Sequence, residues 1–212
     1  MDKFLNLEEK KRRSILDAAL KEFAENGFEK ASTNRIVKDA GIGKGMLFYY
    51  FKSKKALYEY LVEYSLDIVI NEYLKRVDTS ETDFIARLQQ AAQVKMKSQT
   101  ENEQAFHFMG MFMLSKDVDL PKHLQKRYED LQRLGNELLY EGIDTSKLRS
   151  DVDADKAFKL IRWSIEGFQT ELLQRLQGEK MATINFDSYW DEFYEYLHIL
   201  KKTFYKEQED PT

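Results

Sequence analysis

ASTNRIVKDAGIGKGMLFYYFKSKKAL, residues 31–57, reads as two short helices across a tight turn, followed by the basic start of a third. Ser32 can cap a helix over residues 33–40, because its hydroxyl can accept from the unbonded N–H groups of the first turn. Gly41 stops that helix. Residues 43–51 then form a second helix, small and polar at its start and aromatic at its end. A helix-turn-helix of this layout sets its second helix into the major groove of DNA. Gly43 and Gly45 lie where the backbone must approach something closely, and a phosphate backbone is the partner that suits them.

Outward from this stretch the pattern stays helical. Only two prolines occur, Pro121 and Pro211, and segments of helical period follow one another with few strand signals, which predicts an all-α fold. The spacing places helices over residues 7–26, 33–40, 43–51, 54 onward, 83–100, 103–114, 121–140, 153–177 and 186–205, about nine in all. Gly27 reads as the stop of the first, which carries Ile15, Ala18, Ala19 and Phe23 on one stripe. The helix from Lys54 has Leu57, Leu61, Tyr64, Ile68 and Leu74 on its buried side. Pro121 suits a first helical turn, and Asp151 or Asp153 can cap the helix that follows them. The expected division is a small head over residues 1–53 and a larger helical body over residues 54–212. In so small a head Ile36, Val37, Ala40, Ile42, Leu47 and Phe51 are needed as core.

Composition narrows the function. The 212 residues include no cysteine, so disulfides, thiolate metal sites and thiol nucleophiles are excluded. The start MDKFLNLEEKKRR lacks the apolar run of a signal peptide, and no segment is apolar for the ~20 residues of a membrane span, which predicts a soluble, cytoplasmic protein with no membrane partner. The net charge of −4 hides an asymmetry: residues 1–55 hold 13 Lys and Arg against 8 Asp and Glu, while the remainder holds 20 against 29. A basic head on an acidic body suits a nucleic-acid partner. Lys10, Lys11, Arg12 and Arg13 could touch phosphates, or could be an ordinary solvated face. The three histidines, His107, His123 and His198, are scattered without partners at ligand spacing, and no phosphate-cradling glycine loop is present. Neither an enzyme nor a metal or cofactor protein is expected.

Residues 10–58 resemble the DNA-binding head of the TetR family of bacterial transcriptional regulators. The resemblance rests on ILDAALKEFAENGF from Ile15, IVKDAGIGKG from Ile36 and LFYYFKSKKAL from Leu47, all in register. It implies a three-helix head on a variable helical body that dimerises and takes up a small molecule. It also implies DNA-facing roles for Thr33, Asn34, Lys44, Gly45, Met46, Tyr49, Tyr50 and Lys54. Thr33 matches a phosphate-contacting hydroxyl and could equally be a second capping group. Tyr49 and Tyr50 stand where the family has a phosphate-binding aromatic and a His, and Lys54 joins its charge to a helix dipole. The chain departs from the family at Gly43, where Ser is common, at Met46 for Thr, at Phe48 for Tyr and at Tyr50 for His. Met46 could pack on a thymine methyl.

In the body, Phe158, Ile161, Ile165, Phe168, Leu172 and Leu176 recur at helical spacing, as do Phe186, Trp190, Phe193, Leu197, Leu200 and Phe204. The resemblance implies that these last two helices pair with their copies in a four-helix bundle, so Phe158, Ile161, Ile165, Phe168, Trp190, Phe193, Leu197 and Leu200 are the expected homodimer interface. The other reading is a seam packed within one chain. The run FHFMGMFML from Phe106 is either an ordinary buried helix or, as the family implies, the border of a ligand cavity formed by Phe106, Met109, Phe112 and Met113 with Trp163 or Phe168. Glu166 and Glu171 would turn such a cavity towards a cation, although a helical glutamate ordinarily faces water.

The whole reads as a ligand-responsive, homodimeric DNA-binding regulator, a repressor that grips a near-palindromic double-stranded operator and is released by a partly apolar small-molecule effector. The rival is a helical ligand-binding or protein-partner module whose head has lost DNA binding, with Gly43 and Met46 as marks of that loss.

Overall fold

The computed structural model describes residues 2–114, 119–180 and 183–206, and among these it holds ten α-helices and no strand. The head comprises α1 (Asp2–Leu5), α2 (Glu9–Lys30), α3 (Thr33–Asp39) and α4 (Lys44–Phe51). Gly27 does leave helical geometry, at φ +65°, yet the chain resumes its turns as far as Lys30. One glycine costs the helix about 1 kcal/mol, which the packing of Phe28 beyond it offsets. The Ser32 hydroxyl makes no capping bond. Instead the Ser32 N–H donates to the buried carboxylate of Glu22 at 2.7 Å, and the Arg35 guanidinium holds the same carboxylate through Nε and Nη2. A charged acceptor from a neighbouring helix has displaced a neutral local one, and so α3 is clamped to α2. Ile36, Val37, Ala40, Leu47 and Phe51 are buried as their spacing predicts, with Ile42 partly buried against them.

The tiny α1 escaped the periodicity because one turn shows no period. Its Phe4 is fully buried, with ring centres 4.7 Å from Phe51, 5.5 Å from Tyr60 and 5.7 Å from Tyr50.

α5 (Lys54–Ile68) starts at Ser53, whose hydroxyl accepts from the Ala56 N–H at 3.0 Å, and it runs into one π turn over Val69–Tyr73 and a 3-10 turn over Leu74–Arg76. The body continues with α6 (Phe84–Glu101), α7 (Glu103–Leu114), α8 (Lys122–Tyr140), α9 (Ala154–Arg175) and α10 (Asp187–Phe204). Asp83 and Asp153 cap α6 and α9 through their carboxylates, and Pro121 stands just before α8 rather than inside its first turn.

Two buried clusters hold the molecule. The first joins α1 to α5 with Ala105, Phe108 and Met109 of α7 and Leu124 of α8, so it runs across the expected head–body division. The second joins Phe84, Ile85 and Leu88 of α6 to Ile161 and Ile165 of α9 and to Phe193, Leu197 and Leu200 of α10. Most of the expected dimer stripe is therefore an intramolecular seam. Phe158, Phe168 and Trp190 are partly buried against it, with the Phe158 ring 4.7 Å from Phe84.

Two buried polar groups tie the body together. Arg87 is 1% exposed, and its guanidinium donates to the carbonyls of Thr79, Glu81, Leu138 and Glu141, fastening the loop before α6 to the end of α8. Replacing Arg87 by Ala strands those acceptors, and a loss on the order of 3 kcal/mol in chemical denaturation is expected. The Tyr205 hydroxyl donates to Asp83 at 3.1 Å while accepting from the Ile85 N–H at 3.1 Å, so the end of α10 closes on the start of α6.

Burial holds the His107 imidazole below its ordinary value of 6.5, against the opposing pull of Glu103. The unfolded chain takes up that proton near 6.5 while the folded chain resists it, so stability is full above this pH and falls as pH drops below it. Thermal melts between pH 7.5 and about 5 should show this loss, and His107→Gln should flatten it, since carboxylates titrate lower. A wild-type profile that is flat over that range would refute the assignment.

Candidate nucleic-acid interface and effector cavity

The alternation along α4 separates two faces. Leu47, Tyr50 and Phe51 point inward, while Lys44, Gly45, Met46, Phe48 and Tyr49 are exposed, Tyr49 by 55%. Gly43 caps α4 with backbone alone, its carbonyl accepting from the Met46 N–H at 2.9 Å, and no side chain caps the first turn. Asn34 is exposed and Thr33 partly so at the start of α3, beside which Arg35 is fixed by Glu22. Pairing with Glu22 raises the Arg35 pKa further, so its charge is permanent.

Two of the expected DNA-facing residues are otherwise engaged. Tyr50 is only 6% exposed, packed against Phe4 of α1 and Phe51. The Lys54 ammonium donates to the Glu29 carbonyl at 3.1 Å and lies 5.0 Å above the Phe28 ring, so it binds the end of α2. On the same side as Tyr49 lies Lys3 of α1, whose ammonium is 4.3 Å from the centre of the Tyr49 ring, and the ring of Phe48 is exposed. The signal for Lys3 in the sequence was the lone Phe4 beside it, whose burial needs the tertiary fold. Of the basic run, Arg12 donates to the Leu5 carbonyl at 2.9 Å and Arg13 pairs with Asp17 at 3.8 Å.

The residues expected to border a ligand lie in different surroundings. Phe108 and Met109 are core, Phe112 sits edge-on to Tyr128, Phe106 is half-buried, and Met113 is exposed. Trp163 is 60% exposed on the outer face of α9. Of that set, Phe168 lines a partly open cavity of about 140 Å³ between α6, α9, α10 and the π turn, with Tyr73, Lys95, Trp190 and Phe193 among its walls. A larger cleft of about 1080 Å³ between α2 and the α6–α7 turn is lined by Lys10, Arg12, Arg13, Asp17, Glu101 and Glu103, walls too charged for an apolar ligand. Glu166 pairs with Arg162 at 2.6 Å and Glu171 with Arg175 at 2.5 Å, so neither carboxylate turns the cavity towards cations.

A helix-turn-helix head seated on a helical body with a small apolar cavity defines a one-component DNA-binding regulator. The family described as bacterial regulatory proteins, tetR family, matches residues 15–61, and the tetracyclin repressor-like C-terminal domain matches residues 82–209, more than half of the chain. The protein belongs to the TetR family and is a ligand-responsive DNA-binding transcriptional regulator. It is 25% identical over 154 residues to the HTH-type transcriptional repressor KstR2 of Mycolicibacterium smegmatis, covering 72% of this chain and 74% of that one. An HTH-type transcriptional regulator of Staphylococcus aureus (strain USA300) is 38% identical over 73 residues, 34% of this chain and 40% of its own. Among solved structures, a TetR family transcriptional regulator from Chloroflexus aurantiacus J-10-FL superposes with a TM-score of 0.63 at 25% identity, covering 97% of this chain and 98% of the other. Among the described residues no helix is long and apolar enough to cross a membrane, and no group of three or more acidic or His side chains could hold a metal.

Proposed function

We propose that this protein is a homodimeric repressor whose heads, residues 1–53, enter successive major grooves of a near-palindromic operator, and whose body, residues 54–212, takes up a small effector in the α6–α9–α10 cavity. One observation carries the proposal: the cavity wall includes Tyr73 of the π turn, which continues α5, and only two residues separate α5 from the end of the recognition helix α4. A ligand that repacks this turn acts on the helix carrying the head. Arg127 of α8 grips that helix with bonds of 2.9 Å to Glu63 and 2.5 Å to Asp67, which gives the body a second hold on it. The effector shifts the spacing of the two heads by its differential affinity for the two arrangements; about 3 kcal/mol of difference weakens DNA binding roughly a hundredfold. Repression is the sign of regulation that the relative named as a repressor supports. Operator binding puts the work in the cytoplasm. Nothing in the exposed face of α4 favours a head that has lost DNA binding.

The reading face is Lys44, Gly45, Met46 and Tyr49 with Asn34, Thr33 and Lys3. DNA from just upstream of the gene should bind with an affinity that falls steeply with salt, because neutralised phosphates release counterions. The double variant Lys44→Ala, Tyr49→Phe should weaken binding by at least about tenfold in fluorescence anisotropy, each contact being worth about 1–3 kcal/mol. Unchanged affinity would remove these residues from the interface.

For the dimer, the outward faces of α9 and α10 offer Leu160, Trp163, Tyr196 and Ile199, of which Trp163 is 60% and Ile199 56% exposed. Such side chains gather on a self-complementary contact and become its anchors. Sedimentation of Trp163→Asp, Ile199→Asp should give a folded monomer. A dimer surviving both changes would sink this interface.

A further inference from the structure

Among the described residues that line the α6–α9–α10 cavity, Lys95 alone is charged. Its ammonium lies 5.9 Å from the centre of the Trp190 ring and 6.0 Å from that of Tyr73, the outer limit at which a ring face still attracts a cation. Desolvation by the neighbouring cavity walls holds its pKa below the ordinary 10.5 although the residue as a whole is exposed, and no carboxylate opposes that shift. The glutamates nearest in sequence on α9, Glu166 and Glu171, are spent on Arg162 and Arg175. Lys95 is itself an exposed residue, so its ammonium reaches the cavity from the solvent side, where a ligand anion can pair with it. Burial also pushes the Tyr73 phenol up to about 12, so it stays protonated and able to donate. The other walls are largely apolar, including Leu88, Phe168 and Phe193, with Gln99, Gln169 and Tyr189 as polar exceptions, and the space is about 140 Å³. An apolar cavity of roughly 150 Å³ is filled by one benzene ring.

We propose that the effector class of this cavity is a small organic carboxylate, its head paired with Lys95 and its apolar body, about the size of one aromatic ring, laid against Phe168 and Phe193. The inference rests on the reading of this cavity as the effector site, and it inverts the cation preference that Glu166 and Glu171 suggested in the sequence. A carboxylate entering here exchanges bulk water for an ammonium and a phenol donor, a charge-assisted contact that weakens with salt because Lys95 is exposed.

The test is calorimetric titration of the full chain with four probes of graded chemistry: sodium phenylacetate, 2-phenylethanol, phenethylamine and inorganic phosphate. Phenylacetate should bind one per chain and at least about tenfold tighter than the neutral alcohol, the amine and the phosphate, a ratio equal to about 1.4 kcal/mol. In Lys95→Met the preference for phenylacetate over phenylethanol should vanish while phenylethanol binding is kept. Melting curves of Lys95→Met and Lys95→Gln, expected close to wild type because an exposed side chain is changed, verify that the fold survives. The inference is overturned if the alcohol, the amine or phosphate binds as tightly as phenylacetate, if the preference persists in Lys95→Met, or if none of the four binds. A separate anisotropy measurement on upstream DNA distinguishes the two readings: phenylacetate held by Lys95 with DNA affinity unchanged supports the carboxylate site and refutes its role as the regulatory site.

Discussion

Phe23 of α2, Tyr58 of α5 and Phe108 of α7 meet in one aromatic cluster, with Tyr58 edge-on to Phe23 at 5.1 Å and to Phe108 at 5.3 Å, and Phe28 completing it 5.1 Å from Tyr58. Each such pair contributes about 0.5–1.5 kcal/mol beyond the area it buries. The weight of the cluster lies in its position. The head has too few apolar residues to make a core alone, so it borrows one from α7 of the body, and α2 packs along that helix. A head joined in this way moves only when α5 and α7 move with it.

This constraint explains why the connection from cavity to DNA runs through packed helices. The second cluster, around Phe84, Ile161, Ile165, Phe193 and Leu197, forms a separate block in which the cavity lies. Between the two blocks stand the π turn after α5, the Arg127 grip on α5, and the α6–α7 turn. π turns interrupt the regular ladder and recur at functional sites. In the proposed mechanism the effector changes the packing on one side of this join, and the aromatic cluster carries the change to α3 and α4 as a unit.

The head was legible because its signals are local. Gly41 and Gly43, the aromatic end of α4 and the alternation of Leu47, Tyr50 and Phe51 with exposed neighbours lie within a few turns of one another. Even there distant chain intervened at two positions: α1 packs on Tyr50, and Lys54 bonds to the end of α2. Glu22 is the same kind of case. It sits in the middle of an amphipathic helix and reads as a solvated acid, but the fold brings Ser32 and Arg35 to it and makes it the clamp of the head.

In the body the helices were legible and their faces were not. Period 3.6 identifies which residues share a stripe, but an apolar stripe looks alike whether it meets its own chain or a copy. The Ile161, Ile165, Phe193 and Leu197 seam proved intramolecular, and the exposed apolar residues lie one register aside, at Leu160, Trp163, Tyr196 and Ile199. For the same reason the Met-rich α7 became core, and the cavity formed from α6, α9 and α10. The amino-acid sequence by itself determined the class of fold, the helix-turn-helix and the basic head, since capping, period and charge are properties of neighbouring residues. Only the tertiary structure decided which face of each helix is spent on the core, and it alone brought Lys95 beside Trp190 and Tyr73. Burial and charge pairing depend on which distant segments meet, and that information is spread over the whole chain.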